Sequence, residues 1–286
     1  MTLAPTRELV AGAVASRGAI PAFNVLSLDH VEAVAAGAAE AGSAALLQLS
    51  ENAIAFRGAP EPLLAACREA AKASGSPLGI HLDHIEDRAL VARVLDRAEE
   101  FGVGSIMFDA SRLDYADNVA ATREVVARAH DAGVWVEAEL GEIGGKDGAH
   151  APGVRTDPDE AAAFVAATGV DGLAVAVGSS HAMRDRSAQL DLELIARLAA
   201  AVPVPLVLHG SSGVADAVIA DAVAAGIRKV NVGTALNIAF TASLREALAA
   251  QPDAVDPRKY TRDARAAMAD LVARFCRVVD ARLPAS

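Results

Sequence analysis

Aromatic side chains are scarce: seven Phe, two Tyr and one Trp in 286 residues. The chain is nevertheless 53% hydrophobic, so Ala, Val and Leu must fill a core, and the length allows a large one. Cysteine is nearly absent. Cys67 and Cys276 stand far apart in helix-like surroundings with no CxxC, which excludes a disulfide framework and predicts a reducing, cytoplasmic setting. Basic excess is lacking too: 26 Lys and Arg against 37 Asp and Glu give a formal charge of −11. That excludes general nucleic-acid binding, which needs a basic footprint. A phosphorylated ligand stays compatible, because local amides hold an anion whatever the net charge. No apolar run reaches ~18 residues, so no membrane span is expected. The opening MTLAPTRELVAGAVASRG has no signal-type apolar core.

What is present is a repeat of strand and helix. Short apolar runs fall at Ala22–Val25, Ala44–Ser50, Leu78–His84, Ser105–Ala110, Trp135–Gly141, Gly172–Gly178, Pro205–Ser211 and Lys229–Thr234. Ala-rich helical stretches separate them: Asp29–Gly42, Pro60–Gly75, Asp87–Gly102, Asp114–Gly133, Asp157–Gly169, Asp191–Ala201 and Val214–Gly226. Most open on Asp or near Pro and most close on Gly, the signals of helix starts and stops. A doubly wound open sheet is the alternative, but eight evenly spaced units favour a (β/α)8 TIM barrel. A helix at Thr6–Arg17 precedes the first strand and can plug the barrel's bottom; two helices joined by QPDAVDPRKY fill Thr234–Pro284. No linker divides the chain, so residues 1–286 are read as one domain.

Barrel enzymes build their sites at the carboxyl ends of the strands, and polar residues gather there. Asn24 ends the first strand, Gln48 and Ser50 the second, Asp83 and His84 the third, and Asp109 the fourth. Glu137 and Glu139 lie on the fifth, His181 follows the sixth, His209 ends the seventh and Asn231 the eighth. His84, His181 and His209 therefore occupy equivalent places in three units, and three imidazoles suit a zinc-like ion with positions open to substrate oxygens. Strand alternation pairs His81 with Asp83. Depth argues otherwise: His81 lies three residues further in, so it reads as a buried supporting residue. His30, His130 and His150 read as surface residues.

HGSSGV sets Gly210, Ser211, Ser212 and Gly213 ahead of a helix near Val214, and NVGTAL does the same after the eighth strand. Loops after strands 7 and 8 often form a barrel's phosphate cradle. Arg258 or Arg262, in DPRKYTR, could meet a second anion.

Taken together, HLDH, SIMFDAS, EAELGEIGG, GSSH, LVLHGSSG and KVNVGT resemble the class II, zinc-dependent ketose-bisphosphate aldolases, over nearly the whole chain. The resemblance implies cleavage of a fructose- or tagatose-bisphosphate-like sugar phosphate to dihydroxyacetone phosphate and an aldehyde. It places the metal ligands on His84, His181 and His209 and the catalytic carboxylate on Asp83. Asp109 and Glu139 match carboxylates near the metal. Asn24, Ser50, Ala182, Gly210, Ser211, Ser212, Asn231, Val232, Gly233 and Thr234 match substrate contacts. It further implies Zn²⁺, a monovalent cation (Na⁺ or K⁺), a homodimer or homotetramer, and a role in carbohydrate metabolism such as glycolysis. The sequence departs from the family pattern at Ala182, where glycine is usual, at Ile85, and in the loop GEIGGKDGAHAPG. In that loop Asp147 or Glu142 would have to serve as the acid. The altered loop also raises a second reading, a catalytically silent paralogue that binds a sugar phosphate.

Overall fold

The computed structural model describes residues 3–140, 155–179 and 186–280. Its elements, in order, are α1 (Thr6–Ser16), β1 (Ile20–Asn24), α2 (Leu28–Ala41), β2 (Ala45–Ser50), α3 (Glu51–Arg57), α4 (Glu61–Ala73), β3 (Leu78–Ile85), α5 (Arg88–Leu95), α6 (Ala98–Phe101) and β4 (Ser105–Phe108). There follow α7 (Tyr115–Asp131), β5 (Trp135–Glu139), α8 (Pro158–Thr168), β6 (Gly172–Ala174), α9 (Leu192–Ala201), β7 (Leu206–Leu208), α10 (Asp216–Ala225), β8 (Ile227–Val232), α11 (Thr234–Ala250) and α12 (Pro257–Val279). The eight strands pair in parallel, each with the next, and β8 closes on β1. The barrel expected from the repeat is the barrel observed.

The punctuation signals act as the sequence implies. Asp157 caps α8 by accepting from the amides of Asp159 and Glu160, Asp191 caps α9, and Asp256 caps α12. Gly42, Gly102 and Gly169 end α2, α6 and α8 in the left-handed conformation. The sixth and seventh strands are shorter than expected, at Gly172–Ala174 and Leu206–Leu208, the eighth starts earlier, at Ile227, and three helical boundaries differ as well. Ser50 caps an unexpected short helix, α3, through the amide of Ala53. The stretch after Asp87 breaks into α5 and α6 at Asp96–Arg97. PRKY is the first turn of α12 rather than part of its linker, because Pro257 at the N-terminus needs no amide partner.

The bottom of the barrel is sealed by α1. Val10 packs with Ile20, Ala22, Leu46 and Trp135, and the Ala4 amide donates to the Leu78 carbonyl at 3.0 Å. On the flank, α12 runs along α2 and α11. Gly37 allows the close approach, since a Cβ there would overlap the Ala269 carbonyl oxygen and Val272. Among the described residues no helix is long and apolar enough to cross a membrane.

His30, read above as a surface residue, is buried. The contact between α2 and α11 covers it, with Ser27 Oγ 3.0 Å from Nδ1 and Asn237 Oδ1 3.2 Å from Nε2. His130 lies on α7, partly exposed, its Nε2 donating to Asp171 at 2.9 Å. His150 lies outside the described residues.

Candidate active site

Asp83 and His84 are neighbours in sequence, yet both reach the barrel mouth. Asp83 points inward by the same alternation that buries His81. His84 has φ of 48°, and the β3–β4 register shifts between Leu82 and Ile85. This bulge in the left-handed region re-aims the second side chain toward the centre. For a non-glycine residue such a backbone costs roughly 1–3 kcal/mol, so the fold holds strain where the polar residues meet.

His84 Nδ1 donates to Asp109 Oδ2 at 2.8 Å, and its Nε2 stands 3.0 Å from His209 Nδ1. His209 Nε2 lies 2.8 Å from Glu137 Oε1. Asn231 Nδ2 also lies 3.1 Å from His209 Nε2 and 3.2 Å from Asp83 Oδ1. Two donors cannot share one contact, so the shorter, charged bond to Glu137 takes the His209 proton and Asn231 donates to Asp83. Each outer ring nitrogen is thus occupied by a carboxylate, and the two inner nitrogens face each other. Neutral rings in these tautomers would oppose lone pairs; a cation between them removes that conflict. Burial pulls the His84 pKa down, but the carboxylates of Asp83 and Asp109 outweigh it and push the value up to about 10. Asp109 is correspondingly held below its usual range, despite burial, by its bonds to His84 and Ser111.

The donor set fits a metal. Ligand atoms of Asp83, His84 and His209 lie within 4.8 Å of one another, as do those of His84, Asp109 and Glu139. Two imidazole nitrogens on a tetrahedral zinc would stand about 3.3 Å apart, close to the spacing found. His181, the expected third imidazole, and Ala182 lie outside the described residues, as do Glu142 and Asp147.

Above this centre opens a cavity of about 520 Å³. Asn24, Ser50, Gly210, Ser212, Asn231, Gly233 and Thr234 line it, as the sequence suggests. Gly210 adopts φ of 68°, which turns the chain into the 3-10 turn Ser211–Gly213. Ser211 and Val232 are buried beside the cavity rather than lining it. The Ser211 hydroxyl donates instead to the Asn231 carbonyl at 2.5 Å and ties the β7 loop to β8. Arg258 is absent from the lining: it is exposed on the first turn of α12, paired with its own cap Asp256 at 2.7 Å. Arg262 pairs with Asp263 at 2.8 Å. Glu51, Glu86, Arg112 and Asn237 line the cavity without having been singled out. Only Asn237 had a signal, one turn after Thr234 at the start of α11.

A closed parallel barrel with its polar centre at the carboxyl ends of the strands defines a (β/α)8-barrel enzyme. The chain belongs to the class II fructose-bisphosphate aldolase family, whose model matches residues 4–282. It is 37% identical over 264 residues to a D-tagatose-1,6-bisphosphate aldolase subunit, GatY, of Klebsiella oxytoca, with 91% of each chain covered. The crystal structure of the YdjI aldolase from Escherichia coli K12 superposes with a TM-score of 0.84 at 32% identity, covering 97% of each chain. That of a putative fructose-1,6-bisphosphate aldolase from Coccidioides immitis gives 0.82 at 30% identity, covering 96% of each. The protein is therefore an aldolase, a carbon–carbon lyase.

Proposed function

We propose that the protein is a metal-dependent aldolase that reversibly cleaves a phosphorylated ketose to dihydroxyacetone phosphate and an aldehyde. The observation that carries this reading is the convergence of Asp83 with the facing nitrogens of His84 and His209, beside the glycine and serine loops after β7 and β8. His84 and His209, with His181, would hold a divalent ion such as Zn²⁺. When bound, that ion supplies Lewis-acid stabilisation of the enediolate left by cleavage.

The chain's own residues do the rest. The backbone at Gly210, Ser212, Gly233 and Thr234 receives the phosphate, as small residues at a helix N-terminus can. The Asp83 carboxylate takes the proton of the C4 hydroxyl as the C3–C4 bond breaks, so C4 leaves as the aldehyde and the electron pair moves toward the C2 carbonyl. Burial raises the Asp83 pKa while His84 and Lys229 oppose the rise, which suits a group that must both accept and return a proton. In condensation the acid form protonates the aldehyde oxygen. Asp147 or Glu142 would then exchange the proton at the dihydroxyacetone carbon.

The test is condensation of dihydroxyacetone phosphate with a panel of aldehydes, with and without a zinc chelator. Product should form, vanish with chelation and return with zinc. Borohydride added with substrate should trap no lysine adduct. A trapped adduct overturns the metal mechanism; sugar-phosphate binding without any condensation supports the silent reading.

A further inference from the structure

Below the mouth the barrel interior holds a charge pair that the bond-breaking chemistry does not touch. Lys229 on β8 and Glu137 on β5 are both fully buried, with Nζ 2.8 Å from Oε2. We propose that Lys229 and Glu137 are positioning residues: together they fix the Nε2–H form of His209 and the amide orientation of Asn231. They thereby determine which nitrogen faces the metal and which atom faces Asp83.

Glu137 divides its oxygens. Oε1 accepts from His209 Nε2 at 2.8 Å, and Oε2 faces Lys229. That leaves Nδ1 as the His209 atom directed at His84. Lys229 divides its protons in the same way. It faces Glu137 Oε2 as an ion pair, donates to Asn231 Oδ1 at 2.7 Å and directs a proton toward His81 Nε2 at 3.4 Å. Because the lysine can only donate, Asn231 must present Oδ1 downward and Nδ2 upward, where it meets Asp83 Oδ1. A flipped amide would set an oxygen against the carboxylate. His81 passes the order on, with Nδ1 2.8 Å from Ser105 Oγ and Ser105 Oγ 2.8 Å from Thr6 Oγ1 on α1. The network thus runs from the bottom plug to the site.

Stability does not account for the pair. Burying two charges costs desolvation that their attraction only partly offsets, and apolar replacements of similar volume are often neutral or stabilising. A carboxylate behind a ligating imidazole has a separate effect, orienting the ring and raising its basicity.

The inference rests on the metal reading above, and the experiment separates the two. Glu137→Met and Lys229→Met are introduced together, so neither charge is left unpaired. Zinc affinity is measured by chelator competition, metal-free thermal unfolding is followed in parallel, and the cobalt-substituted absorption spectrum is recorded. The expected result is a chain that still folds with a lowered unfolding midpoint, because His209 Nε2 and Asn231 Oδ1 lose buried partners, zinc bound 10–100-fold more weakly, an altered cobalt spectrum, and a kcat that falls more than KM rises. Zinc affinity within twofold of the wild type with an unchanged spectrum overturns the positioning role alone. Failure of the wild type itself to bind zinc overturns the metal reading and this inference with it. Should the double variant not fold, ring-nitrogen NMR of the histidine-labelled wild type decides: His209 carrying its proton on Nε2 supports the proposal, and on Nδ1 overturns it.

Discussion

At the scale of single residues, chemistry and backbone strain meet at Asp83 and His84. A regular strand places only one of two consecutive side chains inside the barrel. The chain escapes that rule by spending one residue in the left-handed region, φ 48° at His84. Alternation in HLDH turns His81 and Asp83 to the same face, but His81 lies in the inner layer and only Asp83 reaches the mouth. The bulge leaves no mark in composition, so the sequence could identify His84 only by depth and by resemblance. Asp83 is nearly buried, receives a hydrogen bond from Asn231 and lies within ligand distance of His84 and His209. Asp83→Ala should therefore lower kcat by about 10²–10⁴, the usual size of a general acid–base contribution, while KM for the ketose changes little. Steady-state kinetics decide; a kcat within tenfold of the wild type would remove Asp83 from the proton-transfer role.

At the scale of elements, most of the fold is legible because each unit carries its own start and stop. The strand starting at Ser105, the Asp157 cap and the Gly169 stop need nothing but local chemistry. The misreadings have two causes: a residue that serves two elements at once, and a contact between elements distant in sequence. The short α3 exists because Ser50 both ends a strand and caps a helix, and His30 looks exposed until α11 is laid across α2. Two of the contacts that α2 makes are separately testable. Gly37→Ala would drive a methyl group into the Ala269 carbonyl on α12, and overpacking of this kind costs about 1–3 kcal/mol, read as a lower unfolding midpoint by circular dichroism. An unchanged midpoint would mean that the helices separate easily. His30 tests the other contact through pH. Burial lowers its pKa below 6.5, so the unfolded chain binds the proton more readily than the folded one. Its contribution to stability is fully present above pH 6.5 and is lost as pH falls from there through the lower folded value. Denaturant unfolding should show His30→Gln with a shallower loss of stability as pH falls below 6.5; parallel profiles for the two chains would exclude the histidine as the cause.

For the whole molecule, the placement of apolar and polar layers inside the barrel explains why a chain so poor in aromatics suffices. Small residues such as Ala22 and Ala174 line the strands, and α1 closes the bottom with Val10 against Trp135. The buried polar network then joins that end to the site, from Thr6 through Ser105, His81 and Lys229 to Asn231 and Asp83. The closed sheet also gives every strand two neighbours. From this buried network we expect the two ends of the barrel to unfold together. The sequence supplies its own probe, because Trp135 is the sole tryptophan and is only 4% exposed at the bottom of the barrel. A cobalt ion held at the proposed site of His84 and His209 would report on the mouth. Metal binding shifts the midpoint for both probes equally, as linkage requires, so tryptophan emission and cobalt absorption should trace the same denaturant curve. If the cobalt signal is lost well before the Trp135 emission shifts, the mouth melts independently and the buried network does not couple the two ends.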